Sequence, residues 1–202
     1  HSSHRRQRQM CIRDSLCKEA LINTEAFNCS VVFANANTGE VLISAEERGD
    51  KESINIDLIS TRAQYEPGSS LKIFSIGLAI EQGLLDEKTE YYVEDTIELI
   101  ENSCQKDFKG YKGCYKDFLK HEPYNLSVKE IIERSSNVGT IIATKDLNIN
   151  DLEEFLSKFG FSKRTGIELS GESKGSFDPN KTCVTCLSSL SIGCLLYTSP
   201  SP

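Results

Sequence analysis

Apolar residues are concentrated in short runs separated by polar and glycine-containing segments, and the first two runs lie at 29–34 and 40–44. Between them stands Asn-Ala-Asn-Thr-Gly at 35–39, which places a glycine at the bend. Glycine adopts the backbone of tight turns without steric cost, so the pattern predicts a β-hairpin. The polar stretch 46–60 that follows is expected to be a loop.

The next apolar run follows Pro67-Gly68 and is hydrophobic on nearly every side. Proline and glycine do not continue a helix comfortably, so a buried helix is predicted to begin at about Ser69. Gly83 is expected to end it. Residues 84–113 mix charged residues, tyrosine and glycine without a clear period, which predicts an irregular insert.

Helical spacing recurs in the second half of the chain. The segment 127–130, Ser-Val-Lys-Glu, has the serine and glutamate of a capping box, so a helix is predicted to begin there and end near Arg134. A further helix is expected over 138–147. The segment 150–159 is predicted to be an amphipathic helix with Gly160 beyond it, because four apolar residues have i, i+3, i+4, i+7 spacing: Leu152, Phe155, Leu156 and Phe159.

Ser69 and Lys72 form a candidate catalytic pair. Residues three apart share a helix face, so Lys72 can point its amine at the Ser69 hydroxyl, while Ser70 is turned away. A partly desolvated lysine loses its proton more easily and serves as the base that a serine nucleophile needs. The alternative is a Ser69 that only caps the helix and a solvated Lys72. Ser15 and Ser103 begin the same S-x-x-K pattern, so spacing alone is not specific.

Ser135-Ser136-Asn137 interrupts two apolar runs with short polar side chains. Such a break in a buried stretch needs hydrogen-bond partners, or it costs stability. Ser135 could relay a proton between Lys72 and a leaving amine, and Asn137 could hold a substrate amide or the lysine. An ordinary turn between helices is the alternative, and 53–55 has the same S-x-N pattern.

Length and charge exclude some classes of protein. The 202 residues are enough for one domain with a real core, and no apolar run is long enough to predict a membrane-spanning helix. The net charge is −7, although residues 1–15 contain four arginines against one aspartate. The remainder therefore carries −10, which does not suit a nucleic-acid partner.

The chain contains eight cysteines and few histidines. Cys104 and Cys114 would close a small loop if the domain lies outside the cytoplasm, and unpaired thiols are the alternative. The C-x-x-C at 183–186 has no second half, and His121 is the single histidine beyond the N-terminal segment. A four-ligand zinc site, a Ser-His-Asp triad and a Cys-His nucleophile are therefore disfavoured.

Several short segments, in the same order along the chain, resemble the motifs of class B penicillin-binding proteins. They are Tyr-Glu-Pro-Gly-Ser-x-x-Lys at 65–72, Arg-Ser-Ser-Asn-Val-Gly-Thr at 134–140, Lys-Phe-Gly-Phe at 158–161 with Thr-Gly-Ile-Glu-Leu at 165–169, Gly-Glu-Ser-x-Gly at 171–175 and Leu-Ser-Ile-Gly at 190–193. The resemblance covers 29–193. It implies an α+β fold of the penicillin-binding-protein transpeptidase (β-lactamase-like) type, with helices around an antiparallel sheet.

The resemblance also implies a function. It implies a D,D-transpeptidase that cross-links peptidoglycan stem peptides through an acyl-enzyme on Ser69, with Lys72 as the base. Ser135 and Asn137 would form the second catalytic motif, β-lactams would be covalent inhibitors, and no metal or organic cofactor is implied. Proteins of a cell-wall synthesis complex are the further implied partners. The implied location is the bacterial cell envelope, at the extracytoplasmic face of the plasma membrane, with a membrane-anchored parent protein.

The family's third motif, Lys-Thr/Ser-Gly, is not found in the sequence. In the family it lies downstream of the 190–193 motif, so the chain is expected to be truncated before its last strands and inactive as it stands. Residues 1–15 and 194–202 resemble translated sequencing-adapter read-through, which leaves a partial transpeptidase domain at 16–193. A basic N-terminal arm and a Pro/Ser tail that bind nucleic acid or a membrane surface are the alternative for these ends.

Two other functions stay open. A class D-like β-lactamase or a β-lactam sensor has the same motifs, although the stretch 159–175 favours the class B family. A non-enzymatic, penicillin-binding-like scaffold is the second, and the intact set of catalytic residues speaks against it. Deacylation of a bound penicillin within seconds would favour the lactamase.

Overall fold

The structure of the chain is a computed structural model that describes residues 15–48, 59–86, 88–107, 109, 113–167, 171–177 and 183–197. The described residues divide into two compact units, of which the first comprises 15–48, 59–65, 163–167 and 171–175, and the second comprises the described residues between 66 and 162 and between 176 and 197. Within the described residues, no helix is long and apolar enough to cross a membrane.

The first unit contains the predicted hairpin. β1 (Asn28–Ala34) and β2 (Val41–Arg48) pair antiparallel along their whole length, which confirms the prediction from the apolar runs and the glycine-containing bend. A helix, α1, covers residues 15–24. Cys17 in this helix is disulfide-bonded to Cys29 of β1, a pairing that the sequence did not indicate.

The prediction of a loop over 46–60 is wrong at both ends of this segment. β2 continues to Arg48 because its backbone stays paired with β1 whatever the polarity of its side chains. At the other end, α2 (Ile59–Arg62) packs on both strands of the hairpin. Residues 49–58 lie outside the described part of the chain.

The second unit is built around the predicted buried helix. A 3₁₀ turn (Gly68–Leu71) leads directly into α3 (Lys72–Glu81), and Gly83 follows with a φ of 68°. The predicted start at about Ser69 and the stop at Gly83 are confirmed. The core of this unit includes the buried residues Leu71, Ile76, Ala79, Val93, Leu126, Ile131, Val138, Leu152, Leu156, Leu190 and Leu196.

The predicted capping box begins α4 (Val128–Arg134). The Glu130 backbone N–H donates to Ser127 Oγ at 3.3 Å, and the Ser127 N–H donates to the Glu130 carboxylate at 2.9 Å. Both ends of this helix therefore lie where the sequence predicted them.

The next two helices differ in how closely they match the prediction. α5 (Asn137–Ala143) ends earlier than expected, because Thr144 leaves the helical backbone with φ −105° and ψ 8°. α6 (Ile149–Lys158) buries Leu152 and Leu156, as its apolar spacing predicted.

The segment predicted to be an irregular insert contains two strands among its described residues. β3 (Glu90–Val93) pairs antiparallel with β6 (Tyr124–Ser127), and β4 (Thr96–Glu98) pairs antiparallel with β5 (Cys114–Lys116). The prediction for 84–113 is therefore wrong. Strands this short have too few positions to show an alternating pattern.

Two disulfides lie in the second unit. Cys104 and Cys114 are bonded, which confirms the small loop that the sequence left as one of two options. Cys183 is bonded to Cys186, the first residue of α7 (Cys186–Ser191).

The last described element is β8 (Leu196–Tyr197), which pairs antiparallel with β7 (Ser176–Phe177). Leu196 is fully buried. The assignment of 1–15 and 194–202 as non-native segments stays a prediction. The predicted α+β class is confirmed, and the described strands pair antiparallel in twos.

Candidate active site

The Lys72 side chain is buried at the first position of α3, with 2% of its surface exposed. Its Nζ donates to the Ser135 carbonyl oxygen at 2.5 Å and to Ser135 Oγ at 3.2 Å. The alternative of a solvated lysine is therefore wrong. The structure brings together two residues that the sequence assigned to separate motifs.

Burial changes the protonation of the Lys72 amine. Removal from water lowers the pKa of Lys72 from 10.5 to about 8, although the negative charge of Asp117 acts in the opposite direction. A lysine with an unperturbed pKa is almost wholly protonated at neutral pH. A pKa of about 8 gives a usable neutral fraction, which a general base needs.

Ser69 lies in the 3₁₀ turn before Lys72, and its side chain is exposed. The turn is capped at Pro67 and not at Ser69, so the alternative in which Ser69 only caps the helix is wrong. Ser70 Oγ donates to the Pro67 carbonyl oxygen at 2.8 Å, whereas no hydrogen bond joins the Ser69 hydroxyl to another described residue. Of the two serines, Ser69 has the hydroxyl that is available for chemistry.

Two glycines hold this turn against the segment after α7. The Gly68 N–H donates to the Gly193 carbonyl oxygen at 3.2 Å, and Ser75 Oγ donates to the Ser191 carbonyl oxygen at 2.8 Å. A Cβ atom on Gly193 would overlap the Gly68 carbonyl oxygen. The close approach of the two backbones beside Ser69 therefore requires glycine at position 193.

Gly193→Ala is expected to destabilise the chain by roughly 1–3 kcal/mol more than Gly160→Ala, through the overlap with Gly68. The two glycines have nearly the same backbone conformation, with φ 92° and 91°, but Gly160 has nothing within 4 Å of the added Cβ. Both variants therefore have the same cost of placing alanine at a positive φ. The difference between their losses of stability measures the overlap of the Cβ added at Gly193 with Gly68. Urea unfolding of the two variants measures it, and equal losses of stability would contradict the packing described.

Ser135 ends α4 in the left-handed backbone conformation, with φ 54° and ψ 39°. A non-glycine residue in this region is uncommon and costs energy. Here it presents both the carbonyl oxygen and the hydroxyl of Ser135 to the Lys72 amine.

Asn137 and Ser136 have different partners. Asn137 Nδ2 donates to the Lys116 carbonyl oxygen at 2.8 Å. The sequence left open whether Asn137 holds a substrate amide or Lys72, and the structure shows that Lys72 is held by Ser135 instead. Ser136 Oγ accepts from the Gly139 N–H at 2.8 Å and caps α5. The predicted polar break therefore has its hydrogen-bond partners, and its first residue contacts the amine.

Asp117 is a residue of this site that the sequence did not indicate. Its Oδ1 accepts from the backbone N–H groups of Asn137 at 2.6 Å and Val138 at 3.0 Å. Its Oδ2 accepts from Ser136 Oγ at 2.8 Å. A lone aspartate in a polar loop gives no periodic or motif signal, so only the fold shows that it fixes the start of α5.

A cavity of about 370 Å³ borders Ser135. It combines aromatic and aliphatic walls with polar and charged side chains, and its lining residues are Asp117, Phe118, Leu119, Lys120, His121, Tyr124, Arg134 and Ser135. This volume is enough for part of a small ligand next to the residues that surround the Lys72 amine.

In the first unit, Glu172 organises the segment that contains the Gly-Glu-Ser motif. Its carboxylate accepts from the Thr165 N–H and Oγ1, each at 2.6 Å, and from the Gly166 N–H at 3.3 Å. Desolvation opposes the charge, but these hydrogen bonds together lower the pKa of Glu172. The carboxylate thus has a structural role within this unit.

Residues 29–201 match the family described as the penicillin binding protein transpeptidase domain, and the chain belongs to this family. The match confirms the resemblance found in the sequence motifs.

Individual relatives support the same conclusion. The chain is 30% identical over 165 residues to penicillin-binding protein PbpB of Mycobacterium tuberculosis, which covers 76% of this chain and 22% of that protein. It is 26% identical over 174 residues to peptidoglycan D,D-transpeptidase FtsI of Escherichia coli K12, covering 80% of this chain and 27% of FtsI. The chain thus spans about a quarter of the length of these curated relatives.

A solved structure shows the same fold. Penicillin binding protein 3 of Mycobacterium tuberculosis, complexed with aztreonam, has a TM-score of 0.72 and 27% identity, over 89% of this chain and 40% of that one. The predicted transpeptidase fold is therefore confirmed.

Proposed function

We propose that the chain is part of a peptidoglycan D,D-transpeptidase, a serine acyltransferase with Ser69 as nucleophile and Lys72 as base. The observation that carries the proposal is the buried Lys72 amine, hydrogen-bonded to Ser135 and placed three residues after an exposed Ser69. The relative named peptidoglycan D,D-transpeptidase supports the choice of substrate.

In the proposed acylation step, the Lys72 amine, which donates to Ser135 in the structure, acts on the Ser69 hydroxyl. The neutral Lys72 amine takes the proton of Ser69 Oγ, and this oxygen attacks the carbonyl carbon of the penultimate D-alanine of a stem peptide. The peptide C–N bond breaks, and the Lys72 ammonium returns a proton through Ser135 Oγ to the departing D-alanine amine. The Ser69 N–H and a backbone N–H of the strand that bears the family's third motif would stabilise the oxyanion.

Deacylation completes the reaction. An amine of a neighbouring stem peptide attacks the Ser69 ester, forms the cross-link and releases the serine. A β-lactam undergoes the same attack, but its ring opens without releasing a fragment, so the ester stays attached to Ser69. Asn137, whose Nδ2 donates to the Lys116 carbonyl oxygen, is proposed to hold the substrate amide.

The cell envelope is the proposed location, at the extracytoplasmic face of the membrane, with proteins of cell-wall synthesis as partners. Three disulfides among the described residues support an oxidising compartment: Cys17–Cys29, Cys104–Cys114 and Cys183–Cys186.

Ser135→Ala tests the proton relay. In the full-length gene product we expect acylation by a fluorescent penicillin to slow by roughly 100-fold or more, because the Lys72 amine loses its hydroxyl partner. Thermal stability should change little. Stopped-flow labelling and thermal unfolding measure the two quantities.

Ser136→Ala is the matched control. Its hydroxyl caps α5 and donates to Asp117 but does not contact the amine, so this variant should lose about 0.5–2 kcal/mol of stability. Because the Asn137 and Val138 N–H groups still bind Asp117, labelling should slow far less than in Ser135→Ala. If Ser135→Ala instead collapsed in stability while its folded fraction labelled normally, the motif would be structural.

A further inference from the structure

The Asp117 carboxylate has a fourth partner besides the start of α5. His121 Nε2 lies 3.1 Å from Asp117 Oδ2, and the two side chains are 15% and 7% exposed. The Asp117 N–H in turn donates to the Asp95 carbonyl oxygen at 2.9 Å. Asp117 is thus held by hydrogen bonds to its backbone N–H and to both of its carboxylate oxygens.

The hydrogen-bond partners of His121 favour its protonated form. Its Nδ1 lies 2.9 Å from the Glu122 carbonyl oxygen, and its Nε2 faces the Asp117 carboxylate, so both ring nitrogens face acceptors. A neutral imidazole has one N–H and can satisfy only one of them, whereas the imidazolium satisfies both. Desolvation opposes this charge, but the bonds to Glu122 and Asp117 raise the pKa of His121.

Several other groups lie around His121. The Asp95 carboxylate also favours the imidazolium. The His121 ring stacks on Tyr124, with ring centroids 4.2 Å apart, and the Arg134 guanidinium lies 4.9 Å from the Tyr124 centroid. Lys120 lines the same cavity as these side chains. Asp117 is therefore the acidic group that His121 contacts directly.

We propose that Asp117 is a positioning residue that fixes the 135–137 segment against the Lys72 amine, and that the His121 imidazolium is its counter-ion. The inference rests on the proposed role of Lys72 as the base. Asp117 binds the two residues that follow Ser135, and Ser135 binds the amine, so a shift of the carboxylate moves the amine's partner.

The pair also acts on the amine through charge. The negative charge of Asp117 favours the Lys72 ammonium, and burial of the amine disfavours it. The imidazolium partly neutralises Asp117, because the two groups are in direct contact. The neighbouring serines are neutral and add no charge beside the Lys72 amine. They are Ser135 at the end of α4, and Ser75 and Ser191, which join α3 to α7. Removing Asp117 or His121 should therefore change the protonation of Lys72 in opposite directions.

The test is the pH profile of acylation by a fluorescent penicillin in the full-length gene product. Because the base must be neutral, the rate rises with pH through the Lys72 titration. Asp117→Asn should move the midpoint to lower pH and slow acylation at its plateau by roughly 10- to 100-fold, since the 135–137 segment loses its anchor. His121→Gln should move the midpoint to higher pH, with a smaller loss of rate.

Glu122→Gln is the matched control, because it removes a carboxylate from the same loop while its backbone carbonyl still faces His121. Its midpoint should equal that of the wild type. A folding defect would lower the acylation rate but would not move the midpoints of Asp117→Asn and His121→Gln in opposite directions. Opposite shifts of the two midpoints therefore support the proposal. Midpoints that stay in place, or that move in the same direction, overturn it.

A second measurement separates this inference from the proposed function. Titration of ¹³C-labelled lysine by NMR, with the Lys72 signal assigned by its loss in Lys72→Arg, follows the amine without any acylation. If the wild type were not acylated, the proposed function would fail. The NMR midpoints of Asp117→Asn and His121→Gln would then still support or overturn the role of the pair.

Discussion

Ser69→Ala is expected to abolish covalent labelling of the full-length gene product by fluorescent penicillin, whereas Ser70→Ala should leave it largely intact. The reason is geometric, because Ser70 Oγ is already bonded to the Pro67 carbonyl oxygen, whereas the Ser69 hydroxyl has no hydrogen bond to another described residue. Gel fluorescence after a short exposure measures the labelled fraction of each variant.

Ser70→Ala is the internal control for this experiment. The two serines are adjacent and both exposed, so a general effect of alanine on the 3₁₀ turn would reduce labelling in both variants. Labelling retained in Ser69→Ala would remove the nucleophile from the proposed mechanism.

Lys72→Met should slow acylation by roughly 10²- to 10⁴-fold, which is the usual contribution of a general base. Methionine keeps an unbranched apolar stem in the buried position but cannot accept the Ser69 proton. Loss of the amine also leaves the Ser135 carbonyl and hydroxyl without their donor, so we expect about 1–3 kcal/mol less stability. Labelling kinetics and urea unfolding measure the two effects.

Lys129→Met is the control for the loss of a lysine. Lys129 is an exposed residue of α4 with an i, i+4 ion pair to Glu133, so its replacement should leave the labelling rate unchanged and alter stability only slightly. Equal labelling rates of the two variants would show that Lys72 is not the base. In the wild type, the rate should rise with pH and reach half of its maximum near the Lys72 pKa of about 8.

The parts of the fold that the sequence predicted correctly depend on local interactions. The hairpin of β1 and β2 is set by a glycine-containing bend between two apolar runs, and α4 by a capping box within four residues. α6 shows its apolar stripe in the spacing of Leu152 and Leu156. In each case the interacting residues are close together in the sequence.

The parts that were missed depend on distant partners. β3 pairs with β6, which lies about thirty residues further along the chain, and neither strand is long enough to show a period. The disulfide between Cys17 and Cys29 joins a helix to a strand, and the cysteine spacing did not indicate it. Such contacts become visible only when the chain is folded.

The candidate site shows the same division. The three-residue spacing of Ser69 and Lys72 is a local signal. The polar break at 135–137 is also local, and it indicated that these side chains need hydrogen-bond partners. A link between Ser135 and Lys72 was one of two options that the sequence left open, and the structure shows the contact. Nothing in the sequence indicated that Asp117 anchors the start of α5, because this contact joins separate elements. The catalytic roles of these residues stay predictions.

Peptide mapping by mass spectrometry, after the full-length gene product has reacted with penicillin, shows which residue is the nucleophile. Trypsin cleaves after Arg62 and Lys72, so the peptide 63–72 contains both candidate serines. We expect an adduct with the full mass of the antibiotic on this peptide, with fragment ions that place it on Ser69. An adduct on Ser70 or on another peptide, or no adduct at all, would contradict this expectation.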